Sequence, residues 1–189
     1  MSQKILTHIP SGACILDIGC GDGDLLCSLK GMGYTMIGVD PGIPEDTAPA
    51  SDDLTFLRGT GERLPVTDHW ADCVLMQCVF SLCDPRETLL EIRRVLKPGG
   101  LLIITDLLSG TVTFQAGLCS PLTIHTREDF EGWFTEGFEL LEFSDERKAL
   151  IQMIIEVIFN DEELCISQEE QELLKKCKAG YGLWVWRRR

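Results

Sequence analysis

The residues best placed to do chemistry stand in one short run, ILDIGCGDGDLL at 15–26. There an apolar stretch ends in Gly19, Gly21 and Gly23, interleaved with Asp22 and followed at once by Asp24. A strand that breaks into glycines ahead of a helix lets a ligand come close to the backbone. A dinucleotide fingerprint, G-x-G-x-x-G, would need its third glycine at position 24, which is an aspartate here. A pyrophosphate against Asp22 and Asp24 would meet like charges at a cost of about 4 kcal/mol per pair, for a separation of about 4 Å and an effective dielectric constant of about 20. The loop therefore suits a ligand that is neutral or cationic at this end.

Asp40 closes the next strand candidate, 17 residues beyond Gly23. An acid near that spacing can accept hydrogen bonds from both hydroxyls of a ribose. A ribose without phosphate but with positive charge describes S-adenosyl-L-methionine, which carries a sulfonium and an ammonium group.

Residues 13–143 resemble the class I S-adenosylmethionine-dependent methyltransferases, in particular the type 11, ubiquinone/menaquinone-type group. ILDIGCGDGD is similar to the family's first motif, which implies that Asp17, Gly19, Cys20 and Gly21 border the methionine part of the cofactor. GVDP resembles the second, with Asp40 on the ribose and Pro41 near the adenine. GTGERLP at 59–65 is similar to a segment that in the family reads Gly-Asp-Ala-Glu-x-Leu-Pro and meets the adenine. Here Thr60 and Gly61 replace the Asp-Ala pair, and Glu62 follows. ADCVLMQCVFSL resembles the fourth strand and the loop after it, placing Gln77, Cys78 and Val79 beside the cofactor. The resemblance implies S-adenosyl-L-homocysteine as product and a small or medium-sized methyl acceptor.

Methyl transfer from a sulfonium is an in-line displacement, so a protein mainly positions the partners and excludes water. An acceptor that holds its proton also needs a general base. The loops after the fourth and fifth strands offer Cys78, Ser81, Cys83, Asp106, Cys119 and His125. His125 titrates in the right range for a base, although its place before the cap Thr126 also suits helix-entry packing. Asp106 suits a loop hydrogen bond. QCVFSLCDP resembles the Asn-Cys-Val segment of arsenite methyltransferases, and Cys119 in QAGLCSP falls roughly where that branch has a substrate thiol. Thiolates bind a soft metalloid well. His125 and Cys119 are thus the candidate catalytic residues. Two further readings stay open, an arsenite/thiol-type enzyme using Cys78 and Cys119, and a non-catalytic cofactor-binding sensor or scaffold.

Strand candidates that would position these loops are 14–19, 35–40, 54–59, 72–78, 101–107, 138–145 and the closing GYGLWVWRR. Several are continuously apolar, as parallel strands covered on both faces are. Helices are expected from Asp24, Pro85 and Thr126, over 146–159 and over SQEEQELLKKC. The clearest begins with Asp84 as cap, Pro85 at the first position and Glu87 three residues past the cap, and the run Lys97-Pro98-Gly99-Gly100 should stop it. The expected fold is α/β and doubly wound (Rossmann-like): a mostly parallel seven-stranded sheet with an antiparallel last strand, helices on both faces, as one domain over 1–189.

The formal net charge of −13 disfavours nucleic acid as a partner. Arg187-Arg188-Arg189 reads as a solvated tail. No secretory signal is visible in MSQKILTHIPSG, and LIQMIIEVIF at 150–159 is too short to span a bilayer, so a cytoplasmic protein away from membranes is expected. The nine cysteines lack CxxC or CxxH spacing, which predicts no metal site, and Cys14, Cys20, Cys27 and Cys73 are expected in the core. About a dozen residues precede the first strand, so a cover for the cofactor would come from the 107–125 loop or a partner subunit, or the site is open. The apolar helix at 148–159 suits core packing and offers a possible homodimer contact.

Overall fold

The computed structural model describes residues 2–45, 47–116, 122–148 and 168–189. A central sheet is built from β1 (Cys14–Ile18), β2 (Thr35–Asp40), β3 (Leu54–Arg58), β4 (Ala71–Gln77), β5 (Leu96–Leu108), β8 (Phe138–Asp145) and β9 (Gly180–Arg188). Its order is β3-β2-β1-β4-β5-β9-β8. The first five strands run parallel, and β9 lies antiparallel between β5 and β8. Strand order reverses between β1 and β4, which opens a crevice beyond their carboxyl ends.

The central strands β1 and β4, and β5 from Leu101, are largely apolar because both faces are covered. Alternate side chains point to opposite sides. Leu16, Ile18, Val74, Met76, Leu102, Ile104, Trp184 and Trp186 enter one core with Leu89, Ile92 and Val95 of α3 (Pro85–Val95). Ile15, Cys73, Leu75, Ile103, Leu183 and Val185 enter the other, with Ile5 of α1 (Ser2–Leu6) and Leu26 of α2 (Asp24–Ser28). Trp184 and Trp186 share a face, as their spacing requires. Trp184 stacks on Phe130 of α4 (Arg127–Gly132) at 4.2 Å between ring centroids, and Trp186 on Phe134 at 4.9 Å. Burying one such aromatic contributes about 4–6 kcal/mol before entropy is counted.

The expected caps form. The Asp84 carboxylate accepts from Glu87 N at 3.0 Å, and Thr126 Oγ1 accepts from Asp129 N at 3.1 Å. Several local expectations fail. Helix α3 stops at Val95, before the Lys-Pro-Gly-Gly run, because Leu96 already pairs with Ala71; 97–100 is an irregularity inside the long β5. The terminal arginines are not a solvated tail: Arg187 and Arg188 belong to β9, where Arg187 pairs with Glu139 and Arg188 donates to Leu96 O. Cys27 is exposed on the outer side of α2 and not in the core, while Cys14 and Cys20 are half-buried. A small sheet of β6 (Phe114–Ala116) and β7 (Leu122–Ile124) stands where only a loop was expected. Helix α5 (Gln168–Lys176) follows the expected pattern. The helix expected over 146–159 lies almost wholly outside the described residues, and with it the proposed homodimer contact at 148–159.

Candidate active site

The glycine loop leaves β1 at Gly19, whose φ of +72° is a left-handed conformation that disfavours any side chain. Its N–H donates to Val39 O at 2.7 Å, and a Cβ built on it would lie 2.3 Å from Val79 Cγ2. Gly21, at φ +53°, is exposed, and nothing lies within 4 Å of the corresponding Cβ position. The turn is thus packed on one side and open to a ligand on the other.

Asp40 holds this turn. Its carboxylate accepts from Gly21 N at 3.1 Å and Gly42 N at 2.8 Å, tying the loop after β1 to the end of β2. Asp17 is 3% exposed below it. Burial, with the nearby charge of Asp40 adding to it, pushes the Asp17 carboxyl up to about 7. Burial and the same two acids push the half-buried Cys20 thiol up to about 12. Asp22 and Asp24 are exposed.

Ile18, Gly19, Asp40, Pro41, Gly59, Thr60, Gly61, Glu62, Val79, Leu82 and Cys83 enclose a crevice of about 220 Å³. Its charged lining among the described residues is Asp40 and Glu62, with no lysine or arginine. A Cβ on Gly61 would lie 3.1 Å from Cys83 Sγ and 3.2 Å from Thr88 Oγ1, so the departure from alanine at this position fits two close neighbours. Thr60 and Arg63 exchange backbone hydrogen bonds across the turn. Glu62 Oε1 accepts from Asp84 N at 2.9 Å, which aims the acid at the α3 cap.

Arg94 clamps this segment. Its guanidinium donates to Leu64 O at 2.9 Å, Val66 O at 2.7 Å, Asp68 at 2.8 Å and Glu91 at 2.7 Å, while Glu91 Oε2 accepts from Leu64 N. Bonds to Glu91 and then to Asp68 hold the Arg94 guanidinium charged, and bonds from Arg94 hold the Glu91 carboxyl below its usual range. Nothing in the sequence around position 94 marks this role.

On the acceptor side, Gln77 ends β4 and Cys78 follows at φ +57°. Cys78 N donates to Thr105 O at 2.7 Å. The Cys78 thiol lies 2.9 Å from Tyr181 Oη, which itself donates to Thr105 Oγ1 at 3.0 Å. Burial pushes this thiol up to about 11, so it is a protonated donor at neutral pH. Asp106, 1% exposed, accepts from Ser81 N and Ser81 Oγ at 2.9 Å each and from Leu107 N at 2.7 Å; burial pushes its carboxyl up to about 6. The β6–β7 hairpin packs beside the short 3-10 turn Phe80–Leu82, on the rim where a cover was expected from 107–125. His125, at the foot of that hairpin, is 8% exposed and does not line the crevice. Burial moves its pKa below the ordinary value, so the ring is neutral at neutral pH. Cys119 lies outside the described residues. Among the described residues no group of three or more His, Cys, Asp or Glu is arranged to hold a metal ion.

Gly19, Asp40, Pro41, Thr60, Gly61, Glu62 and Val79 thus line one switch-point crevice, Asp17 is buried beneath its glycine turn, and Cys20, Gly21, Gln77 and Cys78 adjoin lining residues in the chain without lining it themselves. A nucleoside can reach open backbone at Gly21 and a paired acid at Asp40, and a positive charge finds only carboxylates. The residues fit S-adenosyl-L-methionine.

A family model described as "Methyltransferase domain" matches residues 16–104. An uncharacterized methyltransferase of Mycobacterium bovis is 33% identical over 130 residues, covering 67% of this chain and 46% of that protein. Phthiotriol/phenolphthiotriol dimycocerosates methyltransferase 1 of Mycobacterium ulcerans is 35% identical over 154 residues, covering 74% and 55%. A geranyl diphosphate methyltransferase crystallised with geranyl diphosphate and sinefungin superposes with a TM-score of 0.78 at 14% identity, over 100% of this chain and 76% of that one. The chain spans about half the length of the curated relatives it matches. The chain thus carries a methyltransferase domain over residues 16–104 and is similar to methyltransferases across most of its length.

Proposed function

We propose that the chain, as one domain over 1–189 working in the cytoplasm, transfers a methyl group from S-adenosyl-L-methionine to a small-molecule acceptor. One observation carries the reading: a crevice with an open glycine turn, a ribose-ready Asp40 and an all-acid charged lining. When bound, the cofactor supplies a methyl group on a sulfonium, open to in-line displacement by a nucleophile.

In this reading Asp40 receives the ribose hydroxyls, and Pro41, Thr60, Gly61 and Glu62 flank the adenine. Asp17, Gly19, Cys20 and Gly21 border the methionine end, Gln77 and Cys78 separate it from the acceptor, and Val79 borders the nucleoside. Among the described residues no helix is long and apolar enough to cross a membrane, which is consistent with an acceptor met in water. A relative named for phthiotriol and phenolphthiotriol dimycocerosates and a neighbour named for geranyl diphosphate support a small-molecule acceptor. His125 is the candidate acceptor-side base by its place in the loop after β5, although it lies outside the crevice lining and burial lowers its affinity for a proton. The thiol-type reading with Cys78 and Cys119 has less support, because Cys78 is a hydrogen-bonded thiol and not a thiolate.

The test is transfer of labelled methyl from the cofactor to a panel of alcohols, phenols, amines and thiols, with release of S-adenosyl-L-homocysteine measured in parallel. Label should enter at least one small molecule, more slowly in His125→Ala with cofactor affinity retained. Binding of both sulfur compounds with no transfer to any acceptor would contradict the enzyme and favour the sensor reading.

A further inference from the structure

The loop after β4 carries three of the crevice's lining residues, Val79, Leu82 and Cys83, and begins at a strained position. Cys78 at φ +57° is not glycine, and such backbone is disfavoured unless its surroundings hold it. Two buried side chains outside the crevice lining do the holding. Tyr181 on β9, 2% exposed, meets the Cys78 thiol at 2.9 Å and is itself fixed on Thr105 Oγ1. Asp106 at the end of β5 takes both the N–H and the hydroxyl of Ser81 at 2.9 Å. Between these two anchors lies Val79, whose Cγ2 is 2.3 Å from where a Cβ on Gly19 would be.

We infer that Asp106 and Tyr181 are positioning residues for cofactor binding. They act through Ser81 and Cys78 to press Val79 onto the glycine turn and set the purine-side wall of the crevice. Neither touches the ligand. The chain of contact runs from Asp106 to Ser81, through the turn Phe80–Leu82 to Val79, and from there to Gly19. An apolar wall placed by bonds to a buried carboxylate is set more narrowly than one placed by packing, because charged hydrogen bonds are short and directional. The inference rests on the cofactor reading above.

The experiment is calorimetry of the full chain with S-adenosyl-L-homocysteine and with 5′-methylthioadenosine, which keeps the nucleoside but lacks the amino-acid end. Wild-type binding reports on the cofactor reading; the ratio of variant to wild type reports on the anchors. Asp106→Asn should weaken both ligands about 10–30-fold, and Tyr181→Phe about 3–10-fold, by equal factors for the two ligands since the wall faces the shared purine. Ser81→Ala should weaken both about threefold or more, and Ser81→Thr, which keeps hydroxyl and N–H, should bind within twofold of wild type. If Asp106→Asn does not fold, Ser81→Ala and Tyr181→Phe decide. Folded variants that bind both ligands within twofold of wild type would overturn the inference, as would loss in Ser81→Thr equal to that in Ser81→Ala. A loss confined to S-adenosyl-L-homocysteine would also overturn it, since the effect would then lie at the amino-acid end.

Discussion

Gly19→Ala perturbs the turn on which the cofactor site is built, and its cost can be worked from the geometry. The new methyl would sit 2.3 Å from Val79 Cγ2 and 2.8 Å from Val79 Cγ1, well inside contact distance. Moving Val79 aside is an overpacking change of about 1–3 kcal/mol. A side chain at φ +72° adds about 1–2 kcal/mol more. The total, about 2–5 kcal/mol, corresponds to a fall in Tm of roughly 4–20 °C for a chain of this size. Thermal melts of wild type, Gly19→Ala, Val79→Ala and the double variant separate the two contributions. Val79→Ala in the Gly19→Ala background should restore the overpacking part, a coupling of about 1–3 kcal/mol, and leave the backbone part. Because displaced Val79 side chains enter the crevice, calorimetry of Gly19→Ala should also show S-adenosyl-L-homocysteine binding at least tenfold weaker. A melt within 2 °C of wild type together with unchanged affinity would refute this reasoning, and strict additivity in the double variant would show that Val79 is not the obstacle.

Three other outcomes are expected. The Asp17 carboxyl, raised to about 7 from an ordinary 3.8, keeps in the folded protein a proton that the unfolded chain loses, so stability falls as pH rises from about 4 to 7. Asp17→Asn should therefore be more stable than wild type at pH 8, by at most about 4 kcal/mol, and no more stable at pH 4; urea titrations at the two pH values check this. Arg94→Met removes the clamp on Leu64 and Val66, and should lower Tm and weaken S-adenosyl-L-homocysteine severalfold, read by melts and calorimetry. Cys78 is exposed, so with its thiol raised to about 11 it should be alkylated by iodoacetamide far more slowly at pH 8 than at pH 10, as peptide mass mapping would show. Equal rates would revive the thiolate reading.

What the sequence revealed was local. The strands showed as apolar runs, the caps of α3 and α4 as residue types at fixed spacing, and the cofactor's nature as acids where a phosphate loop would have none. What it hid was long-range. Tyr181 meets Cys78 across 103 positions, and Arg94 reaches Leu64 across 30, so no window of sequence brings them together. Asp106 read as a strand-end acid suited to a loop hydrogen bond, but its partner Ser81, 25 positions away, did not show. The Lys-Pro-Gly-Gly run read as a helix stop, and pairing of Leu96 with Ala71 of β4 begins the strand just before it. The acceptor pocket is hidden for the same reason, since its residues come from loops far apart in the chain. A short motif can encode a turn, but not a wall assembled from three strands.

The most direct measurement is a calorimetric titration of the full chain with S-adenosyl-L-methionine, S-adenosyl-L-homocysteine and NAD, repeated for Asp40→Ala. Both sulfur compounds should bind and NAD should not. The substitution should weaken S-adenosyl-L-homocysteine about 10–100-fold, the usual worth of hydrogen bonds to a charged group. Tight NAD binding with no response to either sulfur compound, or an Asp40→Ala variant that binds as wild type, would contradict the assignment of this crevice.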